Sequence, residues 1–179
     1  MVMNKDHIEV IVEDGIWQEY ADVEDDAEKV FALTVGYLHE HKAWAKFDGE
    51  KCGKPININL LLADAREIQQ LNKEFRGINK PTNVLSFANL DAPDFTEEIK
   101  NMSAVELGDI VIAYEVLAQE AELKQIALKH HFAHLLVHGI LHLMGYDHQE
   151  DEQAEEMEEL ERKILALMNI NNPYEEDKD

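Results

Sequence analysis

The chain has 179 residues, 45% hydrophobic and 30% charged, with 8 Gly and 4 Pro, which is the composition of one globular domain and excludes collagen-like, low-complexity and wholly disordered classes. A formal net charge of -22 argues against a general polyanion binder, since phosphate contacts draw on Lys and Arg. Cys52 is the single cysteine, which forbids an intramolecular disulfide. There is neither a basic-then-apolar leader nor an apolar run of about 18 residues, so a cytoplasmic protein with no membrane partner is expected.

Residues 7–12 alternate as a half-buried strand, and the acidic opening Glu24–Asp26 leads into a helical pattern through Val30, Leu33, Thr34, Tyr37 and Leu38. Residues 56–62 read as a second strand. Asp64 then caps a helix whose face carries Ile68, Leu71 and Phe75 and which stops at Gly77. Pro81-Thr82 resets the chain to extended for a third strand over 83–87. After a loop with Pro93, residues 107–112 form a fourth. From there the pattern is helical, over about 114–124, 126–144 and 151–168. The expected fold is α+β, α/β-like: a single mixed sheet of about four strands flanked by helices, with a helical C-terminal half. One domain is expected over 1–170, and an acidic, disordered tail over 171–179. Strand order is not legible in the pattern.

Charge is uneven along the chain. Residues 51–90 hold 6 basic against 3 acidic residues and form the one net-positive stretch, with Lys51, Lys54, Arg66, Lys73, Arg76 and Lys80. On charge alone a solvated face accounts for it as well as a small polyanion site does.

Five of the nine histidines fall at 130, 131, 134, 138 and 142, inside one predicted helix, and His148 follows its end. His138 and His142 stand one turn apart on one face, and Gly145 can take the positive φ that turns the chain back and returns His148 to the same point. Three imidazoles and one open position are what catalytic zinc requires. A rotation of about 40° per four-residue step moves His134 off that face, toward a supporting or substrate-facing place. His130 and His131 read as surface residues. Zinc peptidases of the metzincin type share the spacing, but they carry Glu directly after the first histidine as general base, and position 139 here is Gly. Asp147 suits either a base or a hydrogen-bond partner for a ligand imidazole.

The segment His138–His148, together with Leu71–Gly77, Lys80–Phe87 and Leu107–Ile110, resembles the YbeY family of bacterial endoribonucleases, in order from about residue 56 to about 168. Many family members have Asp where Asn83 stands. The resemblance implies a metal-dependent, single-strand-selective endoribonuclease acting in 3′-end maturation of small-subunit (16S) ribosomal RNA and in 70S ribosome quality control. It implies one zinc held by His138, His142 and His148, and an essential arginine at Arg76. A guanidinium fork suits a phosphodiester better than a point charge does, so Arg76 is expected to stabilise charge building on phosphorus. Lys80 and His134 are expected to face the RNA. The attacking group is either a metal-activated water or the neighbouring ribose 2′-hydroxyl.

Two other readings compete: a metzincin-like zinc peptidase, and a non-catalytic ribosome-assembly factor with structural zinc. The latter kind of site usually fills four positions and favours Cys, and Cys52 is remote from the His motif in sequence. The acidity of the chain points to ribosomal proteins or assembly factors as docking partners.

Overall fold

The computed structural model describes residues 5–13 and 15–175. Four strands form one mixed sheet in the order β1-β2-β4-β3: β1 (His7–Val12), β2 (Ile56–Ala63), β3 (Val84–Ala88) and β4 (Val105–Ala113). β1, β2 and β4 run parallel, and β3 is the antiparallel edge. The helices are α1 (Val23–His41), α2 (Gly49–Cys52), α3 (Ala65–Arg76), α4 (Phe95–Glu98), α5 (Tyr114–Leu123), α6 (Leu128–Leu143) and α7 (Asp151–Ala166). The α+β class with a single four-stranded mixed sheet is therefore as the sequence predicts. Five of the structural elements lie outside the periodicity: α2, α4 and the short 3-10 turns Gly15–Glu19, Asn89–Asp91 and Ile99–Asn101. A four-residue turn offers no repeat to read.

The main core lies on one face of the sheet. Ile56, Ile58, Leu60 and Leu62 alternate inward from β2 and meet α1 and α6, and Phe132, Leu136, Ile140 and Leu143 of α6 are all inaccessible to solvent. Each such side chain stabilises by roughly 1.5–3 kcal/mol relative to exposure. α6 is buried nearly all round, packed by α1, α5, α7, β3 and β4. The second face is covered in part by α3, over a small cluster of Ala63, Ile68, Leu85, Val111 and Ala113. Asn59 and Asp109 stand on that face and are joined at 2.9 Å.

β4 starts two residues before its predicted place and contains an irregularity. The β2 register jumps from Asn57↔Glu106 to Ile58↔Gly108, so Leu107 is the extra residue. The bulge switches the inward phase from Val105 and Leu107 to Ile110 and Ile112. Gly108 sits there at φ +138, and a Cβ on it would stand 2.0 Å from the carbonyl oxygen of Phe87. Only glycine allows that approach of β3.

Part of the predicted acidic tail, residues 171–175, is placed: Tyr174 donates a hydrogen bond to Glu161 of α7. Residues 176–179 lie outside the described residues. No described helix is long and apolar enough to cross a membrane.

Candidate metal centre and cleft

α6 ends at a glycine turn in which Tyr146 N–H donates to Leu141 O (3.1 Å) and Gly145 N–H to His142 O (3.0 Å). Gly145 has φ +98, and a Cβ there would stand 2.6 Å from Cβ of Lys46. The position therefore needs glycine for both its dihedral and the close approach of the 43–47 segment. That segment is fastened to the turn by Phe47 N–H to Met144 O (3.0 Å) and by the Tyr146 hydroxyl to Ala43 O (3.0 Å). The N-terminal third, which shows no motif in the sequence, thus supports the turn that returns His148.

One nitrogen from each of His138, His142 and His148 lies within 4.8 Å of the others. His142 donates its Nδ1–H to the carbonyl of Tyr146 at 2.9 Å, and His138 donates its Nδ1–H to Glu161 at 2.5 Å. Glu161 is fully buried; burial pushes its pKa up, but hydrogen bonds from His134, His138 and the Tyr174 hydroxyl hold it down at about 2. It is therefore an ionised acceptor. With both Nδ1 atoms engaged as donors, the Nε2 atoms of His138 and His142 present bare lone pairs 3.0 Å apart. Facing lone pairs need a cation between them, either a proton or a metal ion. Burial and the neighbouring His138 lower the pKa of His142 to about 4, which keeps this imidazole neutral and ready to ligate. His148 sits at the exposed rim, its ring centre 5.4 and 4.9 Å from those of His138 and His142. The donor set fits a divalent ion with an open side toward solvent.

The three histidines share the wall of a cleft of about 700 Å³ with Arg76, Lys46 and Phe75. Arg76 is the last residue of α3, whose end is closed by Gly77 at φ +71. The buried Asn72 holds the following loop by donating to Lys80 O at 2.9 Å. Phe75 is 61% exposed and meets Phe87 edge-on at 5.1 Å.

Arg76 and the three histidines come together in one cleft, whereas Lys80 and His134 stand outside its wall. Lys80 offers its carbonyl to Asn72 and leaves its ammonium in solvent. His134 points away from the cleft to Glu161 (3.4 Å) and the Tyr174 hydroxyl (3.2 Å). His131 corrects the surface reading: it is 1% exposed and bonds Glu120 at 2.6 Å. Asp147 accepts from the backbone N–H of His148 at 2.7 Å. Gly139 faces the sheet, where a Cβ would stand 3.0 Å from Ile110 Cγ2 and 3.2 Å from Ser86 Oγ. Sequence reasoning missed Glu161 and Lys46. Glu161 had a signal: it falls in step with the apolar positions Met157, Leu160, Ile164 and Leu165, where a carboxylate is costly without partners.

A comparison with known families matches residues 21–169 to the family described as Endoribonuclease YbeY. The Endoribonuclease YbeY of Sinorhizobium fredii is 39% identical over 167 residues, covering 93% of this chain and 91% of the relative. That of Acinetobacter baumannii is 52% identical over 120 residues, covering 66% of this chain and 74% of the relative. The solution structure of TM1509 from Thermotoga maritima shares the fold, with a TM-score of 0.53 at 20% identity over 96% of this chain and 98% of that one. With the family match spanning most of the sequence and relatives at this identity, the chain belongs to the YbeY endoribonuclease family.

Proposed function

We propose that the protein is a zinc-dependent endoribonuclease selective for single-stranded RNA, working in the cytoplasm on the 3′ end of 16S ribosomal RNA and in quality control of 70S ribosomes. One domain, residues 1–170, carries the activity. His138, His142 and His148 hold one zinc ion, and Arg76 receives the phosphodiester. The observation that carries this reading is the pair of bare Nε2 atoms of His138 and His142, 3.0 Å apart, in the cleft that also exposes Arg76.

A bound zinc would supply Lewis acidity at the scissile phosphate. The rest falls to the chain. The guanidinium of Arg76 can grip two phosphate oxygens at once and stabilise charge that grows on them. The exposed ring of Phe75 gives an unpaired base a face to stack on, which a duplex cannot offer. Stacking is largely insensitive to salt, so a chain of charge -22 need not rely on counterion release alone. Its acidity favours basic ribosomal proteins or assembly factors as the partners that bring it to the RNA.

The competing readings have less support. Peptide hydrolysis by the metzincin route needs a Glu after the first histidine, and Gly139 there is packed against Ile110. A structural zinc would call for a fourth ligand, and among the described residues the cluster holds three.

The test is metal analysis of the purified protein together with cleavage of an unstructured RNA, with and without chelator. About one zinc per chain and chelator-sensitive cleavage are expected, and Arg76→Lys should retain the zinc while cleaving at least about tenfold more slowly. Zinc-dependent casein hydrolysis with intact RNA would replace the nuclease reading by the peptidase one. A 2′,3′-cyclic phosphate product would identify the ribose hydroxyl as nucleophile.

A further inference from the structure

We propose that Tyr174 is a positioning residue which, through Glu161, fixes the His138 imidazole and so sets the metal affinity of the site; this rests on the metal-binding reading above.

Glu161 is 0% exposed on the apolar side of α7, between Leu160 and Ile164. An ionised carboxylate survives there only with several donors. Its two oxygens have different partners. Oε1 accepts from His138 Nδ1 at 2.5 Å, while Oε2 accepts from the Tyr174 hydroxyl and lies 3.4 Å from His134 Nε2. A carboxylate held at one oxygen can swing about its Cγ–Cδ bond, whereas one held at both has a fixed plane. The plane of Glu161 sets the plane of the His138 ring, and with it the direction in which the Nε2 lone pair points. An anionic acceptor on Nδ1–H also makes the opposite nitrogen a stronger donor to a metal.

Tyr174 is the one member of this network that belongs to neither α6 nor α7. It lies eight residues beyond Ala166, the last residue of α7, in a turn where its N–H donates to Asn172 Oδ1 at 3.0 Å. Its ring stands edge-on to His134 with centres 5.5 Å apart. Burial and the Glu161 charge push the phenol pKa far up, so the hydroxyl stays a donor throughout the working range. His134 completes the arrangement, since its Nδ1 is buried without a partner and its Nε2 faces Tyr174 and Glu161. The C-terminal segment is thus a latch behind the metal centre, on the side away from the cleft.

The experiment uses the full chain and measures zinc dissociation constants by competition with a chromophoric chelator, alongside the visible spectrum of the cobalt(II) form. Tyr174→Phe removes one oxygen and keeps the ring. It should weaken zinc about tenfold, within the 10- to 100-fold range typical when a group supporting a ligand is lost, and shift the cobalt bands, while the metal-free protein stays folded at the assay temperature with a melting point lowered by the loss of one donor to the buried carboxylate. Glu161→Gln should weaken zinc further. In the Glu161→Gln background, adding Tyr174→Phe should have no further effect, because the path through the carboxylate is already broken. A wild-type zinc constant for Tyr174→Phe, or an undiminished tenfold loss in the Glu161→Gln background, overturns the relay. Failure of the wild-type protein itself to bind zinc would instead remove the metal-binding reading.

Discussion

α6 carries two groups of histidines, and they have opposite chemical fates. His131 and His134 direct a nitrogen at a carboxylate, Glu120 at 2.6 Å and Glu161 at 3.4 Å, within the packed interior. His138 and His142 also anchor one nitrogen each, but the other emerges bare on the cleft side, where His148 joins them. Density of histidine is therefore a poor locator of a metal. The discriminating property is where the unpartnered nitrogen of each ring lies: Nδ1 of His131 and of His134 is buried alone, whereas Nε2 of His138 and of His142 converge on the cleft.

The sharpest way to break this comparison is to remove one member of each group. His142→Ala should abolish stoichiometric zinc, since two imidazoles rarely hold a catalytic ion, and a metal-to-protein ratio equal to wild type would refute the cluster. The next effect is on acid stability. His142 is held at about pKa 4 in the folded state against 6.5 unfolded, and burial also lowers His131, although Glu120 opposes it. Unfolded chains therefore take up protons that the folded chain refuses, so the metal-free protein should lose stability as pH falls from about 6.5 toward 4, by about 3 kcal/mol for His142 alone. Glu161 adds a loss in the same direction below pH 4.5. Denaturant melts at pH 7 and 5 should show the difference in wild type and a smaller one in His142→Ala; equal slopes would contradict the neutral, buried ring. Smaller still, His131→Ala should cost about 2 kcal/mol from a cavity and the loss of one of the two side chains that hold Glu120, Asn83 being the other, with zinc content unchanged. Loss of zinc in that variant would merge the two groups.

Much of this is legible in the sequence. The four strands, the Asp64 cap, the Gly77 stop and the return of His148 through Gly145 follow from local rules, because each depends on residues within about a turn of one another. The β4 bulge did not, since Leu107-Gly108 becomes exceptional only beside Phe87. Nor did Lys46 and Ala43, whose place is set by contact with a turn about 100 residues later. The burial of His131 runs against the surface expectation because α6 is buried on nearly every side, leaving no polar face to infer from. For Gly139 the sequence shows only that the metzincin glutamate is absent; that Ile110 and Ser86 leave no room for a larger side chain is a tertiary fact.

The three metal ligands lie within residues 138–148, and two of them share a helix turn. Closing so short a loop carries little chain entropy, since that cost grows only with the logarithm of loop length and is smallest here. The groups that hold Glu161 and the 43–47 segment come from far along the chain, so their alignment disappears when the tertiary structure opens. Weak metal capture should then persist in a partly unfolded chain while tight binding does not, and heating the zinc-loaded protein at low chelator concentration should separate loss of tertiary structure from release of the ion into two transitions.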